Sequence, residues 1–129
     1  MTLYTACRYD RASHRGTVVD ITRSPGRSPF APSVRLLADY KAGRCGWEEY
    51  EDRYTAEQRG HYRRDPESWR RLIEQATAGD VTLVCYERGE EDSVRCHRRL
   101  LREMLLAVAH KLGHPLDVAT GGTRDEDDV

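Results

Sequence analysis

The sequence predicts an α/β domain built on a small, mainly parallel sheet flanked by helices. Two observations carry this. Short β-branched or apolar runs alternate with longer stretches of helical periodicity, and strands separated by helices favour parallel pairing. The run 81–86 is apolar apart from Thr82, apolar enough for a central strand covered on both sides.

The elements can be taken in order. Leu3 to Cys7 reads as a first strand and 8–15 as a polar loop. Gly16 to Thr22 is β-branched and brief, a second strand. Three prolines and a glycine interrupt 24–32, which excludes regular structure, and Phe30 should pin that loop to the body. Ser33 opens a short helix that Gly43 ends. A second helix spans 47–63, with Trp47, Tyr50 and Tyr54 on one stripe and Gly60 weakening its last turn. That spacing marks the aromatics as core. Asp65-Pro66-Glu67 starts a third helix with a capping acid, a proline suited to the first position and a carboxylate at the positive dipole end. Trp69, Leu72, Ile73 and Ala76 give it a buried face. A long helix 94–112 follows strand 81–86, with Leu100, Leu101, Met104, Leu105, Val108 and Leu112 inward. Residues 115–119 suit a last strand. The chain is expected to form one domain over 1–119, with 120–129 a disordered acidic tail.

Composition narrows the function. The chain has 129 residues, 38% hydrophobic and 33% charged, enough apolar content for a core. Net charge is −1, and four of the acids lie in the last six residues with one Arg. The remainder holds 20 basic against 18 acidic side chains, a balance of +2, so the strong basic footprint of most nucleic-acid binders is absent. Lys41 and Lys111 are the only lysines. Arginine suits phosphate and carboxylate, although a GC-rich genome also enriches it. No run approaches the length of a membrane span and no secretion signal opens the chain, so a cytoplasmic protein without membrane association is expected. In that compartment Cys7, Cys45, Cys85 and Cys96 should be thiols or ligands rather than disulfides.

Open parallel sheets place ligands beyond the carboxyl ends of their strands. Polar residues gather there: Cys7 and Arg8 after the first strand, Asp20, Thr22 and Arg23 at the second, Cys85 and Glu87 at the third, then Cys96, His97 and Arg98 opening the long helix. His97 precedes Leu100 and Leu101 by three and four residues, so it shares their inward side and should point towards Cys85 or Glu87. Cys96 near a helix N-terminus gains thiolate character.

The segment Val81-Thr82-Leu83-Val84-Cys85-Tyr86-Glu87, followed by Cys96-His97-Arg98, resembles the bacterial and archaeal family catalogued as domain of unknown function 488. The likeness extends upstream through Pro32-Ser33, Tyr40-Lys41, Trp47, Tyr50 and Tyr54. Asp20 fits the family pattern; Thr5-Ala6-Cys7 and the placing of Arg23 depart from it. The resemblance implies a fold and a site at the junction of 81–86 with 94–112. It implies no reaction.

Three functions remain open. In the first, the site binds or turns over an anionic, phosphate- or nucleotide-like molecule. Arg98 and the helix N-terminus, with Arg23 or Arg8, hold the anion, and Asp20 and Cys85 also face the ligand. His97 is the acid–base, Glu87 orients it and Cys96 is the nucleophile. Cys96 and Arg102 have Cys-x5-Arg spacing, but a cysteine inside a helix cannot form a phosphatase cradle. In the second, Cys85, Cys96 and His97, with Cys7 or Glu87, bind zinc, although adjacent helical ligands diverge by about 100°. In the third, the Arg-containing loop 23–35 and the aromatic helix 47–62 bind nucleic acid or a protein without catalysis. Bland alternatives stand beside these: Cys85 as a buried core thiol, His97 capping a strand carbonyl, and Arg98 in a surface ion pair. No cofactor is expected, and the metal reading is the lesser one.

Overall fold

A computed structural model describes residues 2–23, 27–86 and 96–120. The elements among them are β1 (Thr2–Cys7), a 3-10 turn (Arg11–Ser13), β2 (Thr17–Asp20), α1 (Val34–Lys41), α2 (Trp47–Arg64), α3 (Pro66–Ala78), β3 (Val81–Cys85), α4 (His97–Lys111) and β4 (Asp117–Thr120). The sheet has the order β2-β3-β1-β4, and all three pairings are parallel. The α/β class with a parallel sheet is therefore as expected. The expected acidic tail lies outside the described residues.

The strand order dictates where the helices go. The step from β1 to β2 passes over β3 in one direction; the steps from β2 to β3 and from β3 to β4 run the other way. Right-handed crossovers travelling in opposite directions lie on opposite faces of a sheet. The packing follows that rule. Leu3, Val81, Leu83, Cys85 and Ile21 share one core with Leu36 of α1, Tyr54 of α2, Trp69 of α3 and Leu101 of α4. The alternate residues face the other way and are covered by the segment after β1. There Thr82 accepts from the Arg15 amide at 2.8 Å and donates to the Arg15 carbonyl at 2.7 Å. All four helices thus crowd one face, where the apolar run of β3 had suggested helices on both. A loop with one 3-10 turn suffices to bury Thr82 and Val84 on the other.

Local chemistry sets the helix ends. Ser33 Oγ accepts from the Leu36 amide at 3.1 Å and starts α1. Asp65 accepts from Ser68 at 3.3 Å with Pro66 in the first turn of α3. Helix α2 continues through Gly60 to Arg64, because Tyr54, Gln58 and His61 are buried along one stripe and packing outweighs the weak residue. Helix α4 starts at His97, later than the expected 94. Cys96 stands before it in extended conformation, φ −141° and ψ 148°. The last strand is Asp117–Thr120 rather than 115–119.

Helix α2 also clamps the loop that follows β2. Tyr54 donates to the Phe30 carbonyl at 2.7 Å, and Gln58 reaches the Pro29 and Ala31 carbonyls at 3.3 and 3.5 Å. Glu57 accepts from the Ser33 amide at 2.9 Å. The Phe30 ring meets Trp69 and His61 edge-on, which is the pin expected of it.

Two glycines with left-handed backbone give a contrast that can be measured. Gly16 has φ +62°, and a Cβ there would lie 2.0 Å from the Asp80 carbonyl oxygen. Gly43 has φ +77° with open space around it. Gly16→Ala should lower unfolding free energy by roughly 2–4 kcal/mol, strain plus clash, and Gly43→Ala by only about 1 kcal/mol. Urea unfolding of both variants tests this, and equal losses would show that contact with Asp80 is irrelevant.

Candidate functional site

The segment after β1 covers one face of the sheet, while α4, the described element that follows β3, packs on the other. This opens a crevice at the carboxyl ends of β1 and β3, neighbours in the sheet, where ligands bind in open α/β folds. Cys7 and Cys85 end the two strands in register. On the helical side a cleft of about 280 Å³ adjoins this edge. Thr22, Arg23 and Pro32 wall it after β2, and Leu37, Tyr40 and Lys41 wall it from α1. Tyr50, Tyr86, Cys96 and His97 complete it.

His97 lies between the cleft and the core, 7% exposed. Its Nε2 is 2.7 Å from the Ile21 carbonyl oxygen. A carbonyl only accepts, so Nε2 carries the proton and Nδ1 keeps a lone pair. That lone pair faces Cys96 Sγ at 3.6 Å. Burial pushes the imidazole pKa down to about 4; the Ile21 bond opposes this and the Arg98 charge adds to it. The ring is therefore neutral at pH 7 and presents a base to sulfur. It turns towards the end of β2 rather than towards Cys85; Glu87, the other direction suggested by periodicity, lies outside the described residues.

Cys96 occupies the position that caps α4, and its sulfur meets that of Cys85. The structure joins these two as a pair, where all four cysteines had been expected as thiols or ligands, and leaves Cys7 and Cys45 free. The reason is convergence: the end of β3 and the start of α4 bring both side chains to one point. Their Cα atoms are 7.6 Å apart, wider than a disulfide usually spans.

Arg98 is 1% exposed and does not line the cleft. Its Nη1 donates to Cys85 Sγ at 3.7 Å, which sets a permanent positive charge behind the sulfur pair. Asp20 also stands apart. It accepts from the Thr22 amide at 2.9 Å, from Thr22 Oγ1 at 2.6 Å and from Arg8 Nε at 3.0 Å. Burial opposes its charge, but the Thr22 and Arg8 hydrogen bonds outweigh burial and hold the carboxyl below its ordinary range. It fixes the turn after β2 and lines a concavity on the reverse face. Arg23 does reach the cleft, with Nε donating to the Pro32 carbonyl at 3.2 Å. Glu87 lies outside the described residues.

Thus Cys96, His97 and Arg23 meet at the cleft, Cys85 and Arg98 stand behind it, and Asp20 faces elsewhere. Lys41, Tyr40 and Tyr86 were not identified from sequence as lining residues. The pair Tyr40-Lys41 at the end of a short helix was the available signal. Tyr50 and Tyr54 are buried, as their spacing implied. Cys96 precedes its helix after all, so it does not sit inside α4 as first read. Yet residues 97–101 are helical and form no cradle before Arg102. Among the described residues, no three or more His, Cys, Asp or Glu side chains are grouped to hold a metal ion. No helix among them is long and apolar enough to cross a membrane.

Together these features define an α/β domain with a cysteine–histidine pair at the carboxyl edge of a parallel sheet. Residues 28–109, well over half of the chain, match DUF488-N3a, described as the active DUF488-N3 subclade, and the chain belongs to the DUF488 family. No curated protein and no solved structure matches it.

The buried imidazole predicts a pH effect. Its folded pKa of about 4 lies below the ordinary 6.5, so the unfolded chain binds the proton first. The stability it confers is complete above pH 6.5 and is lost as pH falls towards 4, by about 3 kcal/mol over that window. His97→Gln keeps a donor for Ile21 without the titration, and its unfolding free energy should fall less steeply with acid. Urea titrations between neutral and acid pH compare the slopes, and parallel slopes would contradict the assignment.

Proposed function

We propose that the cleft binds an anionic, nucleotide-like small molecule and that Cys96 and His97 act on it. One observation carries the reading. Among the described residues, Arg23 and Lys41 are the charged side chains lining the cleft, with no carboxylate beside them. Arg and Lys together suit phosphate oxygens. Tyr40, Tyr50 and Tyr86 offer rings to an aromatic or sugar group. The volume lies near the lower end of small-ligand pockets, which suits one nucleotide rather than a bulky substrate.

The chemistry follows from the pair. With the sulfurs reduced, the Cys96 thiol donates to Nδ1 of neutral His97, and the Ile21 carbonyl holds the ring in the tautomer that accepts. The positive end of α4 and the Arg98 charge favour the thiolate. The sulfur attacks an electrophilic carbon or phosphorus of the ligand, while His97 keeps the proton and returns it to the leaving group. Membership of a subclade described as active supports a catalytic reading.

Calorimetric titration of the reduced protein with nucleoside phosphates tests this. Arg23→Ala and Lys41→Ala should each weaken binding by roughly tenfold or more, the scale of a charged hydrogen bond. Cys96→Ser should bind nearly as well and turn nothing over. Binding unchanged in both cation variants would remove the cleft from the account.

A further inference from the structure

Tyr86 faces two ways. It lines the cleft, and its ring also lies 5.7 Å from that of Tyr9, at 37° to it. Both rings are exposed, Tyr9 by 57% and Tyr86 by 39%, although they follow buried strand ends. Arg8 sits against both, its guanidinium 5.8 Å from the Tyr9 ring centre and 5.9 Å from that of Tyr86. Asp20 anchors that guanidinium at 3.0 Å, so the cluster has a fixed base. Beyond it, Arg8, Tyr9, Arg11 and His14 border the concavity of about 320 Å³ on the reverse face. Among the described residues its lining acid is Asp20, which is paired with Arg8.

Two concavities, each bordered by cationic side chains, therefore adjoin a shared aromatic ridge at the edge of the sheet. A mononucleotide fills one of them. A strand can lie across both, with phosphates near Arg23, Lys41 and Arg11 and a base on the tyrosine pair. Exposed rings beside arginines are how proteins hold single-stranded nucleic acid without reading its sequence. We infer that the ligand of the cleft is part of a single-stranded oligonucleotide, and that the Tyr9–Tyr86 pair stacks a neighbouring base. This rests on the cleft reading and names its substrate class.

Fluorescence anisotropy on the whole reduced chain, with labelled hexathymidylate and with thymidine monophosphate as competitor, is the test. The hexamer should bind at least about tenfold more tightly than the monophosphate. Tyr9→Ala should weaken the hexamer by roughly 5- to 100-fold and leave the monophosphate unchanged, while Tyr9→Phe retains hexamer binding. Arg11→Ala should flatten the salt dependence of hexamer binding by about 0.7 in the log–log slope. Arg23→Ala should weaken both ligands. Melting temperatures of the variants confirm that each is folded. Equal affinity for the two ligands, or a hexamer indifferent to Tyr9→Ala, would overturn the inference while leaving the cleft intact. A hexamer that responds to Tyr9→Ala but not to Arg23→Ala would uphold the stacking surface and remove the cleft reading.

Discussion

The carbonyl of Ile21 is sealed from water where β2 leaves the sheet, and it takes its hydrogen from His97, 76 residues further on. Leaving such an acceptor unpaired would cost about 1–3 kcal/mol. Meeting the need has three effects at once. It fastens the first turn of α4 to the exit of β2, which brings Cys96 and Arg23 to the same cleft. It fixes which imidazole nitrogen is protonated. It also confines the ring to a dry place where it stays neutral. One backbone requirement thereby sets both the shape of the site and the proton inventory of its base.

The three residues of the Cys-His-Arg run take three separate directions. Cys96 is still extended, so its sulfur meets the end of β3. His97 opens the helix and faces β2. Arg98, one residue on and about 100° round, points beneath β3 to Cys85. Neighbours in sequence thus approach one site from different sides. This division also accounts for an arginine that does not serve as a ligand fork at the cleft. Its guanidinium is buried behind the sulfurs and does not line the cleft.

Much of this was legible in the residues. The largely apolar run of β3 pointed to a central strand, and all five of its positions are buried. Asp65-Pro66 marked the start of α3 because a capping acid and a proline are each worth most there. The Tyr50 and Tyr54 stripe identified the inner side of α2. Other features depend on long-range geometry that no local pattern carries. The occupied face of the sheet follows from strand order, and strand order is invisible in periodicity. Asp20 looked like a ligand because it stands at a strand end, yet Thr22 two residues later and Arg8 across the sheet claim its oxygens. Lys41 drew no role at the cleft from its sequence position, since only the tertiary placement of α1 turns it there.

The loop between β2 and α1 is bound by Tyr54, Gln58 and Glu57 at Phe30, Pro29, Ala31 and Ser33. Holding a chain segment in one conformation costs about 1–2 kcal/mol per residue in entropy, and here folding meets that cost through the hydrogen bonds of α2. Pro32, which anchors Arg23, belongs to this tethered stretch. On the proposed reading, a ligand arriving at the cleft would find that part of its rim already arranged, so its contact energy would not be spent on ordering it. Affinity at this edge of the sheet would then be partly written into a helix whose lining residue at the cleft is Tyr50.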